Sequence, residues 1–187
     1  MLSGYPGSGK SRLARRLVED NRDFVRLNVD DLRAMYFGST EPTVEDDFVY
    51  NSLASLRDAT LSSGRSVVVD TTAPNNDMRD FLLSTRIRNV TQLLILMVVE
   101  KSVLEKRNSE RQFIGAVEAW DKAWQNPPKK MPIIKFRNNS LAEFETSYYI
   151  LTDLLTSKVH PFKRRFLTNI YPRILGERPP ASQTSTP

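Results

Sequence analysis

Residues 4–11 read Gly-Tyr-Pro-Gly-Ser-Gly-Lys-Ser, and this octapeptide constrains the fold of the chain more than any other feature. It fits the phosphate-loop pattern G-x-x-x-x-G-K-[ST]. Glycines allow the backbone to curl so that several N–H groups face one anion. A short apolar start precedes the octapeptide and a helical pattern follows it. The loop is therefore predicted to join the first strand to the first helix of an α/β sheet.

The residue types of this loop predict a nucleotide site. The Lys10 ammonium can reach the outer phosphates of ATP, and the Ser11 hydroxyl can ligate Mg²⁺. The positive end of the following helix faces the same phosphates. The predicted cofactors are therefore ATP and Mg²⁺. The predicted contact residues are Gly4, Tyr5, Pro6, Gly7, Ser8, Gly9, Lys10 and Ser11.

Composition narrows the class of protein. The 187 residues suit one domain, and the absence of cysteine excludes disulfides, thiolate zinc sites and a cysteine nucleophile. No apolar run is long enough to cross a membrane and no signal peptide is recognised, so a cytoplasmic protein without a membrane partner is expected.

The net charge of +5 suits a polyanionic partner or simply a basic surface. Because His160 is the only histidine, a general base near the loop is expected to be a carboxylate.

Strand-like apolar runs alternate with helical patterns, which predicts a three-layer α/β/α fold with a five-stranded parallel sheet. The predicted strands are residues 1–3, 24–28, 66–70, 92–99 and 133–136. Only three residues precede Gly4, so the first strand is either unusually short or begins upstream. The folded domain is expected to span residues 1–175. Residues 176–187 are rich in Pro, Ser and Thr and are expected to be a disordered tail.

Local signals predict several helix boundaries. Thr43 is interpreted as an N-cap with Asp46 at the third helical position, and Ser102 with Glu105 forms a capping-box pattern. A further helix is predicted over residues 75–88. Within residues 112–132, a short helix is predicted over residues 117–124.

Asp30 and Arg33 follow the second predicted strand. Ligands of open α/β sheets gather beyond the carboxyl ends of the strands, so Asp30 is expected to face the same crevice as the phosphate loop. A carboxylate there can accept the proton of an attacking hydroxyl. Arg33 lies three residues further on, and its guanidinium suits an acceptor that carries a phosphate. The alternative is a helix-capping Asp with an Arg paired to it.

Residues 67–70, Val-Val-Val-Asp, form an apolar run that ends in a carboxylate. In proteins with a phosphate loop, this pattern supplies an Asp that supports Mg²⁺. Many strands end in Asp, and the position of this one after the phosphate loop is what gives the pattern weight. We therefore predict that Asp70 and Ser11 are the metal-site residues and that Thr71 contacts the acceptor.

Four segments then occur in one order: the phosphate loop, residues 28–33, the strand that ends in Asp70-Thr71-Thr72, and residues 106–111. Together they resemble the phage-type polynucleotide 5′-hydroxyl kinases and related P-loop kinases, including zeta-toxin-like and AAA-type enzymes. The resemblance covers roughly residues 1–112. It implies a nucleoside-kinase-like sheet and a lid segment after the fourth strand. Residues 112–115 depart from the lid of that family.

The resemblance also implies a role for each matching residue. Lys10 and Ser11 would serve ATP and Mg²⁺, and Asp30 would be the general base. Arg33 would bind the acceptor's phosphate. Asp70 would support the site. Arg107 and Arg111 would lie on the lid over the ATP phosphates, where they would bind the cofactor and stabilise the moving phosphoryl group.

The spacing of Arg107 and Arg111 supports this last role independently. Residues four apart project from the same helix face, and arginines that close over a phosphoryl group stabilise its transition state. The alternative is a solvated basic face paired with Glu105 and Glu110.

The predicted function is ATP-dependent phosphoryl transfer to the 5′-hydroxyl end of a nucleic acid. The alternative within enzymes is a kinase for a small-molecule hydroxyl, such as a nucleotide, an antibiotic or an activated sugar. A third possibility is a nucleotide-binding regulatory protein, which would bind ATP without depending on Asp30.

Overall fold

Five parallel strands form one sheet in the computed structural model, which describes residues 1–113, 115–128 and 131–156. The strands are β1 (Leu2–Ser3), β2 (Phe24–Asn28), β3 (Ser66–Asp70), β4 (Leu94–Val98) and β5 (Ile133–Arg137). The helices are α1 (Lys10–Asp20), α2 (Val29–Phe37), α3 (Asp46–Ser62), α4 (Asn76–Leu83), α5 (Lys101–Glu110), α6 (Ala116–Ala123) and α7 (Leu141–Thr156).

The sheet order is β2-β3-β1-β4-β5, so the first strand lies at the centre. It has only two residues: Leu2 pairs with Asp70 of β3 and Ile95 of β4. Because the chain passes from β1 over β3 to reach β2, the carboxyl ends of β1 and β3 border a crevice of the kind that binds ligands in α/β sheets.

Helices cover both faces of the sheet because side chains of a strand alternate between its two faces. Val68 of β3 packs with α1 and α7, through residues such as Leu17 and Leu151. Its neighbour Val69 packs on the opposite face with α2, α3 and α4, for example against Leu53. These two hydrophobic clusters fix the three-layer α/β/α arrangement.

Three predicted helix boundaries are wrong. Helix α4 ends at Leu83, because Ser84 has an extended backbone, rather than continuing to residue 88. The N-cap of α3 is Glu45, not Thr43. Helix α5 begins at Lys101 after the N-cap Glu100, whose carbonyl accepts the first helical amide bonds, so the predicted capping box at Ser102 does not form.

The predicted tail, residues 176–187, and the end of the predicted domain lie outside the described residues. Within the described residues, no helix is both long enough and apolar enough to span a membrane.

Candidate active site

The phosphate loop leaves the carboxyl end of β1 and runs into α1. Within it, the Ser8 amide donates to the Tyr5 carbonyl at 3.1 Å and closes a turn. Lys10 is buried, and its ammonium donates to the carbonyl oxygens of Gly4 and Tyr5, each at 2.9 Å. The lysine therefore lies against its own loop, with its charge held by loop carbonyls.

Two glycines of the loop allow a close approach by side-chain amides. Gly7 and Gly9 have φ values of +78° and +92°, a region in which other residues are strained. A Cβ at Gly7 would lie 2.9 Å from the amide nitrogen of Asn108, and a Cβ at Gly9 would overlap the amide of Asn138. The pattern of glycines thus reflects packing by two asparagines as well as backbone curvature.

The charge of Lys10 is coupled to several predicted site residues. Burial lowers the pKa of Lys10 to about 8, against the opposing attraction of the Asp70 and Asp30 carboxylates, while the Arg111 charge lowers it further. The structure therefore brings four of the predicted residues close enough for their charges to interact.

Asp30 follows β2, in the first turn of α2, and its side chain is 60% exposed. Partial burial raises the pKa of its carboxyl group. The Arg33 and Lys10 cations oppose this shift, whereas the like charges of Asp70 and Asp31 add to it. A raised pKa favours proton acceptance, which is what a general base needs.

Arg33 is only 6% exposed and is held between two carboxylates. Its Nε and Nη2 donate to Asp46 at 2.8 and 2.7 Å, and its Nη1 donates to Asp30 at 2.7 Å. Its guanidinium carbon lies 6.0 Å from the ring centre of Tyr50 on α3. Arg33, the residue predicted to bind the phosphate of the acceptor substrate, is therefore already ion-paired, mainly with Asp46.

Asp70 lies at the end of β3 and is 1% exposed. Its Oδ2 accepts from Arg26 Nε at 2.9 Å, and Arg26 also pairs with Asp31. The Asp70 carbonyl accepts from the Asn28 side chain at 2.9 Å. The buried carboxylate is thus compensated by a cation on the neighbouring strand, as a buried charge requires.

Thr71 is 6% exposed and directly follows Asp70. It lies beside Tyr50, whose pKa is raised by burial while Arg33 and Thr71 oppose that shift. Tyr50 therefore links the two residues predicted to contact the acceptor.

Arg107 and Arg111 lie at the end of α5, next to the phosphate loop. Arg107 Nη1 is 3.4 Å from the Gly7 carbonyl, and Nη2 is 3.4 Å from that of Asn139. Arg111 is the C-cap of the helix. Burial and the charge of Arg111 lower the pKa of Arg107. The two guanidinium groups therefore lie close enough to repel each other.

Side chains of α6 and of Trp124, which follows it, contact both the phosphate loop and α4. The Tyr5 hydroxyl donates to Asp121 at 2.9 Å, and Lys101 donates to the same carboxylate at 3.0 Å. The Trp124 ring lies 4.9 Å from that of Tyr5 and 4.6 Å from the guanidinium of Arg79. These contacts hold residues 116–124 beside the crevice.

The loop and its surroundings fit a nucleoside triphosphate. The loop combines glycine-dependent curvature, a buried lysine and the amino end of α1. Ser11 and Asp70 offer hydroxyl and carboxylate oxygens, the ligands that Mg²⁺ prefers. Among the described residues, no group of three or more His, Asp or Glu side chains could hold a metal ion alone. This donor set fits an ion that shares its ligands with phosphates.

A comparison with protein families identifies the domain. A family model described as an AAA domain matches residues 1–126, about two thirds of the chain. The chain belongs to the AAA domain family. No curated protein matches this chain.

Several solved structures share the fold of this AAA domain. APS kinase from Mycobacterium tuberculosis, in complex with AMPPNP and APS, has a TM-score of 0.59 and 19% identity, and the match covers 83% of this chain and 95% of that chain. A gluconokinase from Sinorhizobium meliloti 1021 has a TM-score of 0.55 and 20% identity, over 85% and 95%. An unliganded sugar kinase from Janibacter sp. HTCC2649 has a TM-score of 0.58 and 19% identity, over 81% and 92%. The likeness confirms the predicted fold class, a three-layer P-loop kinase fold with five parallel strands.

Five residues of this AAA domain contact the candidate site but were not among the predicted site residues. They are Arg26, Asp46, Tyr50, Asn108 and Asn138. The sequence position of Asp46 predicts only a helix cap. The other four carry no local motif, since their contacts depend on how distant elements pack.

A cavity of about 930 Å³ lies at the opposite end of the sheet. Its lining includes Phe24 and Ser66, which begin β2 and β3, and Leu93, which precedes β4. The phosphate loop and the carboxylates lie at the carboxyl ends of the strands, so this cavity is not part of the candidate active site.

Proposed function

We propose that this chain is a kinase that transfers the γ-phosphoryl group of ATP to the hydroxyl of a small molecule. One observation carries the proposal: Asp70 pairs with Leu2 of β1 and with Asn28 of β2, so the phosphate loop, Asp30 and Asp70 follow the carboxyl ends of three adjacent strands. Phosphoryl transfer to an alcohol needs a cradle for the donor phosphates and a carboxylate that accepts the hydroxyl proton. The phosphate loop and Asp30, the carboxylate proposed for this task, both lie at the carboxyl ends of the strands.

In this mechanism, each predicted residue has one task. Lys10 holds the outer phosphates, and Asp30 accepts the proton of the acceptor hydroxyl. As that oxygen bonds to the γ-phosphorus, the bond between phosphorus and the β–γ bridging oxygen breaks, which yields ADP and the phosphorylated acceptor. Arg107 and Arg111 stabilise the charge that spreads over the transferring group.

The metal-site residues have a supporting task. Mg²⁺, when bound, neutralises charge on the donor phosphates. The Ser11 hydroxyl and the Asp70 carboxylate are the groups of this chain that would hold it. Arg26 keeps the Asp70 carboxylate in place through its 2.9 Å contact.

The low exposure and the existing ion pairs of Arg33 support a small molecule as the acceptor. Arg33, the cation predicted to bind the backbone phosphate of a polymer end, is 6% exposed and is already paired with Asp46 and Asp30. The similar structures also carry names of small-molecule kinases, for APS, gluconate and a sugar. These names describe those proteins, and here they support only the choice of acceptors to test.

A second candidate acceptor is the 5′-hydroxyl end of a nucleic acid. It is favoured by the spacing of Asp30 and Arg33, which resembles that of polynucleotide kinases, and by the net charge of +5. This candidate requires Arg33 to exchange part of its pairing with Asp46 for an acceptor phosphate.

The test is transfer of labelled γ-phosphate from ATP, with Mg²⁺, to a panel of sugars, sugar acids and nucleosides, and in parallel to 5′-hydroxyl oligonucleotides. The proposal predicts a labelled small-molecule product and unlabelled oligonucleotides. Labelled oligonucleotides would establish the second candidate instead. A folded protein that binds ATP but labels neither class would contradict a kinase and favour a regulatory nucleotide-binding protein.

A further inference from the structure

Two buried asparagines hold the backbone of the phosphate loop from outside. Asn108 of α5 is 2% exposed, and Asn138, which follows β5, is 3% exposed. The Asn108 amide nitrogen donates to the Pro6 carbonyl at 3.0 Å, and the Asn138 amide nitrogen donates to the Ser8 carbonyl at 2.8 Å. Two side chains that are far from the loop in sequence thus donate hydrogen bonds to two loop carbonyls, those of Pro6 and Ser8.

The orientation of each amide follows from its acceptors. Asn108 also donates to the Leu104 carbonyl at 2.9 Å, so its nitrogen faces two oxygens, while its buried Oδ1 has no partner among the described residues. A flipped amide would bring Oδ1 against both carbonyls. Asn138 likewise faces a carbonyl, which accepts hydrogen bonds but cannot donate them. Both side chains therefore act as donors.

Holding these carbonyls also orients the amides next to them. The described peptide bonds are all trans, and in a trans peptide the C=O and N–H groups point in opposite directions. When the Pro6 and Ser8 carbonyls face the asparagines, the N–H groups of Gly7 and Gly9 point away from them. Convergent backbone N–H groups are what make such a loop an anion site.

We propose that Asn108 and Asn138 are positioning residues of the nucleotide site, which preorganise the Gly7 and Gly9 N–H groups toward the donor phosphates by hydrogen bonds to the carbonyls behind them. The inference rests on the proposed nucleotide binding but not on any acceptor. It explains why the loop has glycines at the two positions where a Cβ would collide with the asparagine amides.

The test reverses the polarity of one amide. In Asn138→Asp, a carboxylate replaces the donor and repels the Ser8 carbonyl, whereas a protonated carboxyl group can donate again. We expect the Kd for ATP with Mg²⁺ to rise about 10- to 100-fold over wild type at pH 8. At pH 5.5 this ratio should shrink at least about fivefold, because a buried carboxyl group beside a carbonyl is readily protonated.

The neighbouring Asn139 supplies a matched control. Its Oδ1 accepts from the Glu100 amide at 2.7 Å, so Asn139→Asp keeps the acceptor and should bind ATP within about threefold of wild type. Asn108→Asp should behave like Asn138→Asp. Binding is measured by calorimetry, and circular dichroism establishes that each variant is folded.

Two results would overturn the proposal: ATP binding by Asn138→Asp within twofold of wild type at pH 8, or a loss that does not change with pH, since a packing defect does not depend on protonation. If Asn138→Asp does not fold, Asn138→Ser replaces it. Its hydroxyl is too short for the same bond, so the Kd should rise at both pH values, and wild-type affinity would overturn the proposal. A wild-type protein that binds ATP but phosphorylates no acceptor would contradict the proposed function and leave this inference standing.

Discussion

Arg33 and Asp46 form a two-pronged ion pair, with Nε 2.8 Å from Oδ1 and Nη2 2.7 Å from Oδ2. The pair joins α2 to the start of α3 and leaves Nη1 for Asp30. Because the Arg33 side chain is 8% exposed, this contact is less screened by solvent than a surface ion pair. Asp46 thus controls how Arg33 faces the predicted base.

Asp46→Asn should lower the free energy of unfolding by about 1–3 kcal/mol at pH 7, because it removes a charge-assisted partner of a buried guanidinium. The exposed neighbour gives the control, since Asp47→Asn should change stability by less than about 0.5 kcal/mol. Urea unfolding measures both. Equal stability of the two variants would show that the pair contributes nothing measurable.

The same pair predicts a pH dependence. Arg33 lowers the pKa of Asp46 below its usual value of 3.8, so the folded state binds this proton more weakly than the unfolded state. The stabilisation is therefore present above about pH 4 and is lost as the pH falls through the folded-state pKa. The stability difference between wild type and Asp46→Asn should shrink in the same range.

ATP binding should take up a proton at alkaline pH. Burial lowers the pKa of Lys10 to about 8, and bound phosphates favour its charged form, so the pKa is higher in the complex. ATP affinity should fall as the pH rises above 8. Calorimetry at pH 8.5, in two buffers with different ionisation enthalpies, should detect more than about half a proton taken up per ATP. At pH 7, where Lys10 is already charged in the free protein, proton uptake by Lys10 should be near zero. Equal proton uptake per ATP at pH 7 and pH 8.5 would contradict this role of Lys10.

Arg107→Met should lower kcat about 100- to 1000-fold while the Kd for ATP stays within about threefold, because the arginine acts on charge that develops during transfer. Lys106→Met is the control, since Lys106 is an exposed neighbour on the same helix. Steady-state kinetics and calorimetry together separate the two effects. A variant with altered ATP affinity and normal kcat would make Arg107 a binding residue only.

Sequence analysis can predict those parts of the candidate site that depend on local pattern. The phosphate loop, the five strands and the carboxylates at the ends of β2 and β3 are each encoded within a few consecutive residues. The asparagine contacts are different, because Asn108 and Asn138 are 102 and 130 positions from the carbonyls that they bind. No periodicity or cap signal describes such a pairing.

Asp46 shows a second limit of sequence analysis. Its position near the start of a helix fits an N-terminal capping role, and the Thr43 amide does donate to it at 3.2 Å. The same carboxylate binds Arg33, 13 positions earlier, only because α2 and α3 pack together. Local propensity describes the backbone of such a residue but not its tertiary partner.

Asp30 should set the acid side of the pH profile for phosphoryl transfer. Partial burial, reinforced by the nearby carboxylates, raises the pKa of this group above its usual value, and only the deprotonated form accepts a proton. The transfer rate should therefore fall as the pH drops through that raised pKa, approaching tenfold per pH unit. The acid limb should be absent in Asp30→Asn, which can be checked from kcat/KM against pH.

Replacing Asp30 tests the central claim most directly. The measurement compares wild type, Asp30→Asn and Asp31→Asn for transfer of labelled γ-phosphate to the acceptor found in the panel, with ATP affinity measured alongside. A general-base role predicts that Asp30→Asn loses about 100- to 10,000-fold in kcat but binds ATP within about threefold of wild type, while Asp31→Asn transfers within about fivefold of wild type. Transfer by Asp30→Asn within tenfold of wild type would contradict Asp30 as the base, and with it the proposed mechanism.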